Sequence, residues 1–189
     1  MAQPVSQRSY TAEEVRAMQD ESHGAPRYEV IDGELFVTPS PHTPHQMVVT
    51  ELVVQLSAYL TPLGRRRTVF ASPADVSWGP RTLVQPDVFV VPPEEISSRW
   101  ATVRTLLLAV EILSKSSIRA DRLRKRELYM RQGVRAYWIV DAKARLVEVW
   151  TPDEARPAIV DDVLRWRVTD DAPELVLPLG ELFAGLPDE

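Results

Sequence analysis

Apolar positions along the chain follow two periods, one near 3.6 and one near 2, and their alternation predicts an α/β protein. Thr11-Ala12-Glu13-Glu14 has the form of a capping box and opens a helix to about Gln19. Residues 28–38 alternate on either side of Asp32-Gly33, which predicts a β-hairpin. Pro39, Pro41 and Pro44 end it. From Pro44 to Leu60, Met47, Val48, Leu52, Val53, Leu56 and Tyr59 fall on helical spacing. Val69–Trp78 and Thr82–Val91 read as two strands joined by Gly79-Pro80-Arg81, with Pro92-Pro93 closing the second.

Between Glu94 and Thr151 there is no proline and one glycine, Gly133. This stretch holds an apolar strand, Leu106–Leu113, an amphipathic helix from about Arg119 to Gln132, and further strands at Ala136–Asp141 and Leu146–Thr151. A continuous apolar run implies burial on both faces, so the strand–helix–strand of 106–141 predicts a right-handed crossover between parallel strands. A strand near Val163–Val168 and a short helix near Leu179–Ala184 complete the pattern. With no repeat and no linker, the expectation is a single domain over 1–189, its core about 10–150 and residues 151–189 an acidic extension.

Composition narrows the chemistry. Among 189 residues there is no cysteine, and the histidines are only His23, His42 and His45. Thiolate-bound zinc, iron–sulfur clusters and histidine cages are excluded, so a catalytic metal would need mainly oxygen ligands. No apolar run approaches the ~20 residues that cross a bilayer, and the first residues lack a signal-peptide core. A cytoplasmic protein without a membrane partner is expected. The net charge of −5 is unevenly placed: −7 over residues 151–189 and +2 over residues 1–150. Arg119–Arg135 holds seven basic and two acidic residues, and Arg65-Arg66-Arg67 forms a second basic cluster. A basic run is either a solvated helix face or a nucleic-acid contact.

Two acids interrupt runs that otherwise read as core: Asp87 in LVQPDVFVV and Glu111 in LLLAVEIL. A lone buried carboxylate costs several kcal/mol unless it is paired, protonated or metal-bound. On neighbouring strands, the two would form an oxygen-rich site for Mg²⁺ or Mn²⁺; the alternative is a structural ion pair with arginine for each. On the following helix, Asp121, Lys125 and Tyr129 stand at i, i+4 and i+8, flanked by Arg119, Arg122 and Arg126. The chain uses 19 Arg and three Lys, so a lysine within RLRKREL is informative. A compact ammonium can neutralise an attacking hydroxide or a pentavalent phosphate.

In this order, Pro86-Asp87, Glu111 and a displaced lysine resemble the PD-(D/E)XK nuclease superfamily. More closely, the chain resembles the Uma-two family of restriction-endonuclease-like proteins. The resemblance is carried by YEVIDGELFVTPSP (28–41) with His45, QPDVFVV (85–91) and VEILSKS (110–116). It continues through Asp121, Lys125 and Tyr129, Gly133-Val134, YWIVD (137–141) and VEVW (147–150). It implies a restriction-endonuclease-like core, a mixed β-sheet flanked by α-helices, and metal-dependent hydrolysis of DNA phosphodiester bonds. Carried over by position, Asp87 and Glu111 would ligate Mg²⁺ or Mn²⁺, the carbonyl of Ile112 would add a ligand, and Lys125 would stabilise the attacking hydroxide. Glu34 and His45 match positions near the site, and Asp121 and Tyr129 share the lysine's helix face.

The superfamily usually places lysine two residues after the glutamate, where this chain has Leu113, so the lysine role moves to the helix. Ser114-Lys115-Ser116 stands where the family commonly has Ser-Pro-Ser, which makes Lys115 a rival to Lys125. Arg119, Arg122 and Arg126 are the candidates for DNA contact. The alternative on the same fold is a catalytically silent nucleic-acid-binding or homodimeric module, with Trp166 and Leu175–Leu179 offering an interface.

Overall fold

In the computed structural model, residues 8–22, 26–97, 103–114, 118 and 120–187 are described. Lys115, Arg119 and His23 fall outside them. Helix α1 (Ala12–Ser22) starts at the expected capping box. The Thr11 N–H donates to Glu14 Oε2 at 2.8 Å, and the Glu14 N–H donates to Thr11 Oγ1 at 3.2 Å. Strands β1 (Arg27–Ile31) and β2 (Glu34–Thr38) form the expected hairpin. Both turn residues, Asp32 and Gly33, have positive φ, as a two-residue turn with the twist of its strands requires. Helix α2 (Thr43–Leu60) buries Val48, Leu52, Leu56 and Leu60, four residues apart along one stripe.

The two long strands expected at 69–78 and 82–91 are each broken in two. The first divides into β3 (Val69–Ala71) and β4 (Val76–Ser77), the second into β5 (Leu83–Val84) and β6 (Val88–Val90). Pro73 and Pro86 lie in the gaps. Proline has no N–H to give to a ladder, so pairing stops and the chain crosses from one sheet to another. Strands β4 and β5 join the hairpin in a four-stranded sheet of order β2-β1-β5-β4, whereas β3 and β6 belong to a larger sheet.

That larger sheet also contains β7 (Leu108–Ile112), β8 (Tyr137–Asp141), β9 (Leu146–Trp150) and β10 (Ala158–Val160), in the order β10-β9-β8-β7-β6-β3. Strands β7 and β8 are parallel, as expected of a crossover, and the other pairs are antiparallel. The crossover carries a π-helical segment, Ala120–Lys125, running into α3 (Arg126–Arg131). Strands β11 (Val163–Trp166) and β12 (Leu175–Pro178) form a hairpin, followed by α4 (Leu179–Leu182).

Strand alternation sorts the larger sheet's side chains onto two faces. Val88, Val90, Leu108, Val110, Trp138 and Val140 meet the α2 stripe together with Leu164, Trp166, Leu175, Leu177 and Leu179. Trp166 packs edge-on to Trp138 at 5.8 Å. The surface offered by sequence as an interface, Trp166 with Leu175–Leu179, is therefore largely covered within the chain, because these residues alternate inward on β11 and β12. On the other face, Phe89, Ala109, Tyr137 and Ile139 meet Leu128 and Tyr129 of α3 and Ile31, Val76 and Val84 of the smaller sheet. Asp87 and Glu111 share the parity of Phe89 and Ala109, so both belong to this second face.

Candidate functional site

Register places the two misplaced acids side by side. Val88 pairs with Val110 and Phe89 with Ala109, and one further step sets Asp87 opposite Glu111. Residues directly opposite in an antiparallel pair point to the same face. Both are buried, at 3% and 2% exposure, and both line one cleft of about 1130 Å³.

Asp87 is held from three directions. Arg27 Nη1 donates to its Oδ1 at 2.9 Å. The Ile112 N–H donates to Oδ2 at 2.9 Å, and His45 Nε2 lies 3.0 Å from the same oxygen. Burial pushes this carboxyl up, but the His45 hydrogen bond and the charge of Arg27 outweigh it and hold the group well below the usual carboxylate range.

Glu111 has a different environment. Lys125 Nζ and the Tyr129 hydroxyl both donate to its Oε1, at 3.0 and 2.9 Å. Lys125 Nζ also lies 2.9 Å from Glu29 Oε2 and 3.6 Å from Asp121 Oδ1. Burial raises the Glu111 carboxyl well above its ordinary range; Lys125 opposes this, while Asp87, Asp121 and Glu29 reinforce it. For Lys125, burial alone would favour the neutral amine, but Glu111, Glu29 and Asp121 hold it charged.

The charge balance makes a cation chemically sensible here. Four buried carboxyls, Glu29, Asp87, Glu111 and Asp121, meet two permanent cations, Arg27 and Lys125. A divalent ion would offset the surplus of negative charge that adds to burial in raising Glu111. Among the described residues no three His, Asp or Glu side chains form a ready-made metal cage. Magnesium does not need one, since it commonly takes one or two carboxylates together with water and substrate phosphate. The donor set thus fits a hard divalent cation at Asp87 and Glu111, and does not fit an enclosed zinc centre.

This environment has a testable sign. A carboxyl whose pKa is raised on folding contributes stability below its unfolded value and loses it as pH rises through the folded value. Glutamine mimics the protonated form and keeps an oxygen acceptor for Tyr129. Glu111→Gln should therefore be more stable than the wild type without added metal, on the order of 1–2 kcal/mol near neutrality. Thermal melts from about pH 5 to 8 should show the gap widening with pH; a constant or reversed gap would contradict the assignment. Asp87 has the opposite sign, its contribution being lost as acid titrates the lowered carboxyl.

The Uma2 family pattern, described as "Putative restriction endonuclease", matches residues 12–180. The chain belongs to the Uma2 family. No curated protein matches it. Among similar solved structures is one described as a putative nuclease from Anabaena variabilis. It shares 22% identity over 86% of this chain and 92% of its own, with a TM-score of 0.72. The fold of that nuclease-like protein is the fold of this Uma2 chain.

The structure brings together Asp87, Glu111, Ile112, His45, Asp121, Lys125 and Tyr129. It separates Glu34, which is half-exposed on β2 and bound to Arg124 Nη2 at 2.6 Å. Glu34 pairs with Ile31 across the hairpin, so it shares the face of Glu29, but it stands at the turn end of that face, where its partner is Arg124 and not the Asp87–Glu111 cluster. Arg122 Nε donates to Glu148 Oε1 at 2.7 Å, and the Arg126 guanidinium stacks 4.7 Å over Trp150. These two candidates for DNA contact are thus engaged within the Uma2 fold, because the π-helical turn lays them against β9.

Arg27 and Glu29 escaped the sequence reading. The Asp32-Gly33 turn dominates the pattern of this hairpin, yet Glu29 interrupts Tyr28-Glu29-Val30-Ile31 much as Glu111 interrupts its own strand. The same rule, an acid inside an apolar strand, would have found it. Its Oε1 also accepts the Gln85 N–H at 2.7 Å, which ties β1 to the chain where it crosses between sheets at Pro86.

Proposed function

We propose that this cleft hydrolyses phosphodiester bonds of DNA with a divalent metal, Mg²⁺ or Mn²⁺, held by Asp87 and Glu111. The observation that carries the reading is the pairing of these acids on one face at the cleft, with Lys125 Nζ 3.0 Å from Glu111. When bound, the cation supplies Lewis acidity, acidifying a water and neutralising charge on the scissile phosphate. The carbonyl of Ile112 would add a further oxygen donor. Lys125 supplies positive charge where the nucleophile and the phosphorane develop negative charge. Tyr129 orients Glu111, while Glu29 and Asp121 keep Lys125 protonated and in place. His45 and the Ile112 N–H fix the carboxylate plane of Asp87.

A second reading has an observation in its favour. Without a metal, Asp87 and Lys125 are already paired, so the same cluster would serve a catalytically silent nucleic-acid-binding module. Plasmid nicking with Mg²⁺, Mn²⁺ or EDTA separates the two. The nuclease reading expects metal-dependent cleavage by the wild type and its loss in Asp87→Ala, Glu111→Ala and Lys125→Ala. A wild type that binds DNA yet never cleaves it with either ion supports the silent module.

A further inference from the structure

We infer that the turn between β8 and β9, through Lys143 and Arg145, grips the phosphodiester backbone of nucleic acid entering the cleft. The inference rests on the nuclease reading and names the contact that holds its substrate. Strands β7 and β8 run parallel, with Glu111 paired to Ile139 and Ile112 to Val140, so both end at the same edge. The turn begins where β8 ends, and Lys143 and Arg145 line the cleft that contains Asp87, Glu111 and Lys125.

Their availability distinguishes these cations. The basic helix, the obvious candidate by composition, has Arg122 on Glu148, Arg124 on Glu34 and Arg131 on Asp32. Lys143 and Arg145 are exposed and have no ion-pair partner among the described residues. Asp141, the nearby acid of the same hairpin, instead accepts the Ala144 N–H at 2.9 Å, bracing the turn. Arg145 has φ of 55°, a left-handed conformation uncommon for arginine. Cations that line a cleft of the opposite charge without neutralising it suit a polyanion that must pass close to buried carboxylates. Phosphates give such a chain its affinity and register, whatever its base sequence.

The other basic cluster supplies a control. Arg65-Arg66-Arg67 follows α2, whose first residues line the cleft; the helix has 18 residues. At ~1.5 Å per residue, the cluster stands roughly 27 Å from that end.

Fluorescence anisotropy in EDTA, over a salt series, tests the proposal with labelled single-stranded and duplex oligonucleotides. Lys143→Ala/Arg145→Ala should weaken binding at least tenfold. It should also flatten the log–log salt dependence by about 1.8 for duplex or about 1.4 for single strand, the value for two lost phosphate contacts. Arg66→Ala/Arg67→Ala should leave affinity near that of the wild type. Equal affinity and slope in the Lys143/Arg145 variant would overturn the inference while leaving the nuclease reading intact, and so would an equal loss in the control. A wild type that binds neither oligonucleotide also overturns the inference, whereas the nuclease reading stands or falls on metal-dependent plasmid nicking.

Discussion

Asp87→Asn should slow metal-dependent DNA cleavage by at least about 100-fold, the lower range for removing one preorganised electrostatic group. The substitution is nearly isosteric, so the effect would come from charge and hydrogen-bond polarity. Oδ1 receives Arg27, while Oδ2 faces the Ile112 N–H and His45 Nε2. An amide has one acceptor oxygen and one donor nitrogen, so either orientation turns its NH₂ toward a donor. Arg27, mostly buried, would also lose its counter-ion. A stability cost of about 2 kcal/mol is expected. Cleavage should therefore be measured well below the variant's melting temperature. A second readout avoids turnover altogether: a bound ion stabilises only the folded protein, so Mn²⁺ should raise the wild-type Tm and leave that of Asp87→Asn unmoved. Wild-type cleavage by the variant would place the activity elsewhere.

The largest stability effect is expected from Lys125→Met. Methionine fills much of the same space but leaves Glu29, Glu111 and Asp121 without the ammonium they surround. Breaking a buried ionic cluster by removing one partner typically costs about 3–5 kcal/mol. For a chain of this size that corresponds to a fall in Tm on the order of 10 °C. The loss should be smaller near pH 5 than near pH 8, because the stranded carboxyls relieve their repulsion by taking up protons. Melts at the two pH values provide the check; a variant as stable as the wild type at both would show that the lysine is not holding the cluster.

The legible part of the site was the part that broke a pattern. Asp87 and Glu111 stood out because each interrupts an apolar strand. Lys125 stood out because it is a lysine in an arginine-rich helix and shares a face with Asp121 and Tyr129. The face survived even though Ala120–Lys125 is π-helical, since Asp121 and Lys125 still meet at 3.6 Å. The fold was legible wherever a run was long and strictly periodic, as in α2 and the β7–α3–β8 crossover. Two features were hidden. The change of sheet at Pro86 cannot be seen from hydrophobicity, because β5 and β6 are both buried and the run looks continuous. Strands β10 and β12 were missed because three- and four-residue strands with exposed positions lack enough periods to register.

The crossing at Pro86 has a consequence for the order in which the molecule is made. Arg27 and Glu29 come from one sheet, Asp87 and Glu111 from the junction and body of the other, and Lys125 from the crossover after them. A chain emerging from the ribosome with its first hundred residues would display Arg27, His45 and Asp87, but neither Glu111 nor Lys125. Synthesis runs from the N-terminus, and domains fold as units. No nascent chain that ends before Lys125 can therefore assemble the cluster, and the chemistry proposed for this cleft waits for the crossover that carries this lysine.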